Sequence, residues 1–320
     1  MLTILAITGP IFALIGLGFV CVRMGLFQRG DMRILGSFVI NIALPALIVS
    51  ALSRRTPAEI LRGDYLLACA GGALLAFSLT LLWFFYVRGC SFQESAVTAM
   101  GSSLSNSAYM GMPIVVQVVG PVASVALALN MVVENILILP LALVLADMAG
   151  GQRQRSALTR LRDVASSLAK NPIILSIFLG LSLATLQVPL PKVLEKPVDM
   201  LALAAAPVAL FSIGGNLAGS KLGGMVSDVS QLLSAKLLLH PLLVGLIALS
   251  IPGMDVQMQA AAILYSSMPM FSIYPLFCVK YSMEVFCSAA VVAATLASFI
   301  TISVAIWLVQ NLLLPSAVLP

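Results

Sequence analysis

Long apolar stretches alternate along the chain with short charged or turn-rich ones. A helix needs about 20 apolar residues to cross a bilayer core. Counting such runs between charges and turn signals predicts ten: Leu2–Val22, Ile34–Ser53, Tyr65–Val87, Ser95–Val119, Pro121–Ala146, Asn171–Val188, Met200–Leu217, Leu232–Ser250, Gln257–Val279 and Val285–Gln310. The fourth and fifth come from one uncharged run of 39 residues, Ser95 to Val133. It divides at Gly120-Pro121, a turn dipeptide whose proline suits the first turn of a new helix. Between Ser102 and Pro113 the fourth span carries four serines, an asparagine, a glycine and a proline. Pro113 lacks an N–H and clashes with the carbonyl four residues back, so a helix here is expected to break or kink. Broken helices survive at membrane depth only where the loosened backbone faces protein or a watery cavity. This stretch is the first candidate for a binding site.

Composition agrees with the pattern. Hydrophobic residues make up 61% of the 320 and charged residues 9%, against roughly 25% charged in a soluble domain. The chain reads as an all-α, polytopic membrane protein whose partners include the lipid bilayer. Its net charge of +5 is spread between apolar runs, which argues against nucleic acid and for the positive-inside rule. With the N-terminus outside, Lys and Arg divide 12 to 5 in favour of the cytoplasmic loops. Both termini are then outside and the basic segment 147–170 is cytoplasmic, although Arg54 and Arg55 run against the trend. The N-terminal run reads as a retained span and not as a signal peptide. Five cysteines without metal spacing read as apolar packing residues, and a single histidine excludes multi-histidine metal sites. No HExxH or GxSxG occurs, so an intramembrane enzyme is not supported. The longest loop leaves no room for a sensor's output domain.

Five spans, a basic loop and five more suggest repeats at 1–146 and 171–320. Ala43-Leu44-Pro45-Ala46-Leu47 resembles Ala205-Ala206-Pro207-Val208-Ala209, and Pro45/Pro207 and Pro113/Pro275 both stand 162 residues apart. Repeats with an odd number of spans are inverted in the membrane, as in many secondary transporters. The plainer alternative is that membrane helices simply contain many prolines. Asn106 lies about 17 Å along the fourth span and Met268 about 17 Å along the ninth, from opposite sides, so the breaks should meet near the midplane. Pro113 and Pro275 would each start a half-helix with its positive end toward the break, which favours an anion.

The residues Asn41-Ile42-Ala43-Leu44-Pro45-Ala46-Leu47, Ser105-Asn106-Ser107-Ala108-Tyr109-Met110-Gly111-Met112-Pro113, Pro207-Val208-Ala209-Leu210-Phe211-Ser212-Ile213-Gly214 and Lys236-Leu237-Leu238-Leu239-His240-Pro241 together resemble the auxin efflux carrier family, in its bacterial, malonate-type branch. The resemblance implies a fold like that of sodium/proton antiporters, with spans one, two, six and seven as scaffold and the rest as a transport domain whose spans four and nine cross at their breaks. It also implies elevator-type alternating access, a small organic-anion substrate such as a mono- or dicarboxylate, and a bacterial inner-membrane location. The ninth-span break reads Ser266-Ser267-Met268-Pro269-Met270, without an asparagine to match Asn106. That departure counts against transfer of an auxin-specific site, and the expected anion is malonate- or auxin-like.

Candidate substrate contacts are Asn41, Ser105, Asn106, Gly111, Met112, Asn130, Met268 and Ser272. Candidate helix breaks are Pro45, Pro113, Pro207, Pro269 and Pro275. Asn106 could donate to a carboxylate or cap its own broken helix. Gly111 would permit close approach of backbone or ligand. Asn130 and Glu134 share one face of the fifth span. An acid at that depth is by default a functional candidate, either a proton carrier or a partner of Asn135, Lys236 or a serine. Lys236 is expected to snorkel, or else to attract anions or pair with Glu134. His240 is expected as a bonded interior group or a proton relay. No cofactor or metal is expected. Transport is expected to be proton-coupled or uniport, with sodium-coupled symport and cation/proton antiport as competing readings, and a homodimer is left open.

Overall fold

Lipid offers a backbone N–H or C=O no water to bond, so an apolar run must satisfy its own polar groups as a helix. The computed structural model describes residues 2–56, 62–149, 170–188, 190–218 and 226–314. These form α1 (Leu2–Arg23), α2 (Gly30–Ser53), α3 (Gly63–Val87), α4 (Phe92–Ser103), α5 (Ser107–Val119), α6 (Val122–Met148), α7 (Pro172–Leu186), α8 (Lys192–Leu217), α9 (Val226–Ser250), α10 (Val256–Ser266), α11 (Tyr274–Cys278) and α12 (Glu284–Leu313). Six of them, α2, α3, α6, α8, α9 and α12, are long and apolar enough to cross a membrane. The expected basic loop falls largely on 150–169 and Lys221 on 219–225, outside the described residues.

Helix starts follow from local chemistry. Ser91 caps α4 while Glu94 reaches back to the Ser91 N–H at 2.9 Å. Asn171 accepts from Ile173 N at the head of α7, and Asp255 from Met258 N at the head of α10. These caps satisfy donors that a helix leaves orphaned.

Prolines act differently from expectation. At Leu44, Met112, Leu139 and His240, each directly before a proline, the N–H bonds five residues back instead of four. A proline ring excludes the usual carbonyl geometry, and the ladder widens by one residue to pass it. Neither Pro45 nor Pro207 breaks its helix: α2 passes Pro45 by such a wide turn, and α8 runs as an ordinary helix through Pro207. Pro113 likewise lies inside α5, and the interruption comes earlier, at Leu104–Asn106. Pro275 stands in the first turn of α11, and Pro269 lies in the second interruption.

Packing pairs the helices along the bundle. α1 packs on α8, and α2 on α7 and α8; α3 packs on α4 and α9, α4 on α6, and α10 on α6 and α9. The α1–α8 contact is backbone against backbone. A Cβ at Gly18 would collide with the Phe211 carbonyl and one at Gly214 with the Ile15 carbonyl, while one at Gly215 would meet the Met32 side chain of α2. Small residues allow such an approach where no hydrophobic force drives helices together. Outward faces carry exposed Leu67, Leu203, Leu238, Ile300 and Leu312, suited to lipid.

Ion pairs tie helix ends. Arg54 meets Asp199 at 2.6 Å and Glu195 at 3.3 Å, which compensates a charge that ran against the orientation rule. Arg88 pairs with Asp228 and Lys280 with Asp147, both at 2.6 Å. Reading all five cysteines as packing residues needs correction, since Cys278 at the end of α11 is joined to Cys287 in α12 by a disulfide.

Gly214→Val is expected to overpack the α1–α8 seam and destabilise the protein by about 1–3 kcal/mol. Gly16→Ala, with open space around its Cβ position, should leave detergent melting curves unchanged; equal curves for both variants would refute the seam.

Candidate functional site

Two interruptions face each other. Leu104 turns extended at the end of α4, and α5 restarts at Ser107. Between α10 and α11 the chain runs non-helically from Ser267 to Ile273. Ser105 and Met270 form an antiparallel bridge, and Asn106 N donates to Pro269 O at 2.8 Å. Each break thus supplies the partners that the other has lost. Side chains reinforce the crossing: Asn106 Nδ2 donates to Ser272 Oγ at 2.9 Å.

Behind Ser105 lies a buried polar network. Glu134 Oε1 accepts from Ser105 N at 3.1 Å, Ser107 Oγ at 2.9 Å and Asn130 Nδ2 at 2.9 Å. Asn130 also donates to Ser107 Oγ at 2.7 Å. Lys236 Nζ donates to Ser105 Oγ at 2.6 Å and lies 2.8 Å from His240 Nδ1. The wide turns before Pro140 and Pro241 hold Glu134 and Lys236. An isolated buried ion costs several kcal/mol, so two opposite charges on either side of one serine stabilise each other's burial. Lys236 has no exposed surface, which corrects the snorkelling expectation. Asn135 bonds its own helix, to Met131 O, and not Glu134.

A cavity of about 90 Å³ opens on the crossing, several times the space one water needs. Its polar wall is Ser105, Asn106, Ser107, Glu134, Asn135 and Ser272. Its apolar wall comes from Ile40 and Leu44 of α2, Ile173 of α7, and Phe271. The α5 N-terminus (Ser107, Ala108, Tyr109) faces the cavity, and the first N–H groups of a helix carry a partial positive charge. α11 has five residues, too short to supply a second such end.

Of the candidate residues, Ser105, Asn106, Ser272 and Glu134 come together at this cavity, with Asn130 and Lys236 one bond behind. His240 lies next to Lys236, buried. Three others sit elsewhere in the crossing. A Cβ on Gly111 would meet the Tyr265 ring and Met268, and Met112 Sδ accepts from Tyr265 OH. Asn41 is exposed and bonds back to Ser37, and Pro207 is exposed on α8. Sequence reasoning missed Ser107 and Tyr109 as wall residues. Both stand in the interrupted stretch, and Tyr109 reaches across to bond Gly36 O of α2 at 3.0 Å. Among the described residues no cluster of three His, Cys, Asp or Glu could hold a metal ion.

A family model described as a membrane transport protein matches residues 4–308. The chain is similar, at 31% identity over 313 residues and 97% of both chains, to a protein of Rhizobium meliloti (strain 1021) named "Putative malonate transporter". It is similar at 24% identity over 249 residues, 75% of this chain and 77% of the other, to the protein named "Uncharacterized transporter YfdV" of Escherichia coli (strain K12).

Asn130→Leu should destabilise the protein by about 1–3 kcal/mol, because Glu134 and Ser107 each lose a buried donor. Thermal melting in detergent checks this, and a variant as stable as the parent would show the network to be inert.

Proposed function

Because this chain belongs to the membrane transport protein family, the auxin efflux carriers, we propose that it is a secondary active transporter of a small organic anion, a mono- or dicarboxylate of the malonate class. One observation carries the reading: a polar cavity at the meeting of two interrupted helices, faced by a helix N-terminus and an asparagine amide. Irregular backbone at membrane depth is tolerated where it lines such a site. The malonate relative supports the substrate class through its length-wide similarity.

The proposed architecture is ten crossings in two inverted repeats, with α4–α5 and α10–α11 each forming one interrupted crossing. The ion pairs support this count. Four crossings separate Arg54 from Glu195, four separate Arg88 from Asp228, and four separate Asp147 from Lys280, so each pair falls on one face of the membrane. Splitting either interrupted unit into two crossings would put at least one pair on opposite faces. In the proposed elevator, α1, α2, α7 and α8 are the fixed scaffold, and the crossing slides with its cavity against α2 and α7. Proton coupling is assigned to Glu134, whose carboxylate forms part of the cavity wall.

Malonate uptake into proteoliposomes tests the function. Removing a hydrogen bond to a charged ligand costs about 1.5–3 kcal/mol, so Asn106→Ala should weaken apparent affinity roughly 10- to 150-fold. Parental affinity in this variant removes Asn106 from the site. Glu134→Gln should abolish stimulation by an inward proton gradient; unaltered stimulation would remove Glu134 from coupling.

A further inference from the structure

Lys236 is fully buried, and anion binding at the cavity makes no direct use of it. Its ammonium donates to Ser105 Oγ at 2.6 Å in the first interruption and to Ser266 O at 3.3 Å, where α10 ends and the second begins. Its third contact is His240 Nδ1 at 2.8 Å. With Lys236 as an ammonium, which has three protons and no acceptor, Nδ1 accepts and the imidazole proton stands on Nε2. A hydroxyl and a main-chain carbonyl, beside a carboxylate bonded to the same serine, form an oxygen set suited to a small hard cation. Here the chain's own ammonium fills that place.

We propose that Lys236 is a built-in counter-cation, a positioning residue that joins the two interruptions and occupies a cation site at the crossing. The carrier therefore works without bound Na+ or K+, and truncating the lysine opens a site for a small organic ammonium ion. The site rests on geometry alone; its consequence for flux rests on the transport reading.

Purified parent and Lys236→Ala protein are compared in choline, sodium, potassium and propylammonium chloride at equal ionic strength, by melting temperature and by malonate uptake. Propylammonium replaces the atoms from Cγ to Nζ that the substitution removes. Parental uptake and melting should be the same in choline and sodium. Lys236→Ala should melt lower and lose most of its uptake, and propylammonium should raise its melting temperature saturably and restore part of its flux, with no such effect on the parent. Three results would each overturn the proposal: parental uptake that falls without sodium, a variant with parental flux, or a folded variant blind to propylammonium. Should Lys236→Ala not fold, the double variant Glu134→Gln/Lys236→Met should melt above Lys236→Met alone, and a double variant no more stable refutes the charge pairing. A parent that moves no organic anion defeats the transport reading, while the melting data still decide the cation site.

Discussion

The constraint on which this molecule depends is that no backbone polar group can be left unpaired in lipid. One interrupted helix would expose several such groups at the worst depth. Two interruptions brought together cancel much of the penalty: Ser105 bridges Met270, and Asn106 N finds Pro269 O. What backbone does not satisfy, buried side chains do. Glu134 takes the Ser105 N–H and Lys236 the Ser266 carbonyl. The polar cavity thus follows from the way the breaks are made tolerable.

Prolines serve this arrangement indirectly. Pro140 and Pro241 interrupt nothing, yet the wide turns before them contain Glu134 and Lys236. A wide turn inserts one residue into the helical repeat and re-aims the side chains around it, which is why such turns recur at functional sites. The two charges that flank Ser105 both stand on turns of this kind.

This accounts for what was legible in the sequence. The interrupted stretch is legible because serine, asparagine and glycine crowd an uncharged run, which points to Ser105 and Asn106, while Glu134 stands out as an acid at membrane depth. The break falls beside Asn106 as expected, but the second half-helix starts at Ser107 and not at Pro113, which acts on the turn before it. Snorkelling of Lys236 was a sound default for a lysine one turn inside a span, but periodicity cannot say that the facing surface holds Ser105 and Ser266. Asn41 illustrates the reverse error. A polar residue in a span need not face a cavity, because its amide can bond the carbonyl of its own helix, here Ser37.

Charge counting at the crossing gives the proposed coupling a physical basis. With Glu134 and Lys236 both ionised, the charges that flank Ser105 sum to zero. Adding a monoanion, such as a monocarboxylate or hydrogen malonate, to the cavity would leave one net negative charge in a low-dielectric interior, where unbalanced charge is expensive. A proton on Glu134 leaves the ammonium uncompensated, and the anion then restores neutrality. The empty crossing with both charges and the loaded crossing with its proton are therefore the two neutral states, and a sliding domain carries these through lipid most cheaply. Either intermediate, with anion or proton alone, bears a net charge and is disfavoured in transit. Strict coupling can thus arise from electrostatic balance around one serine, without a second ion site.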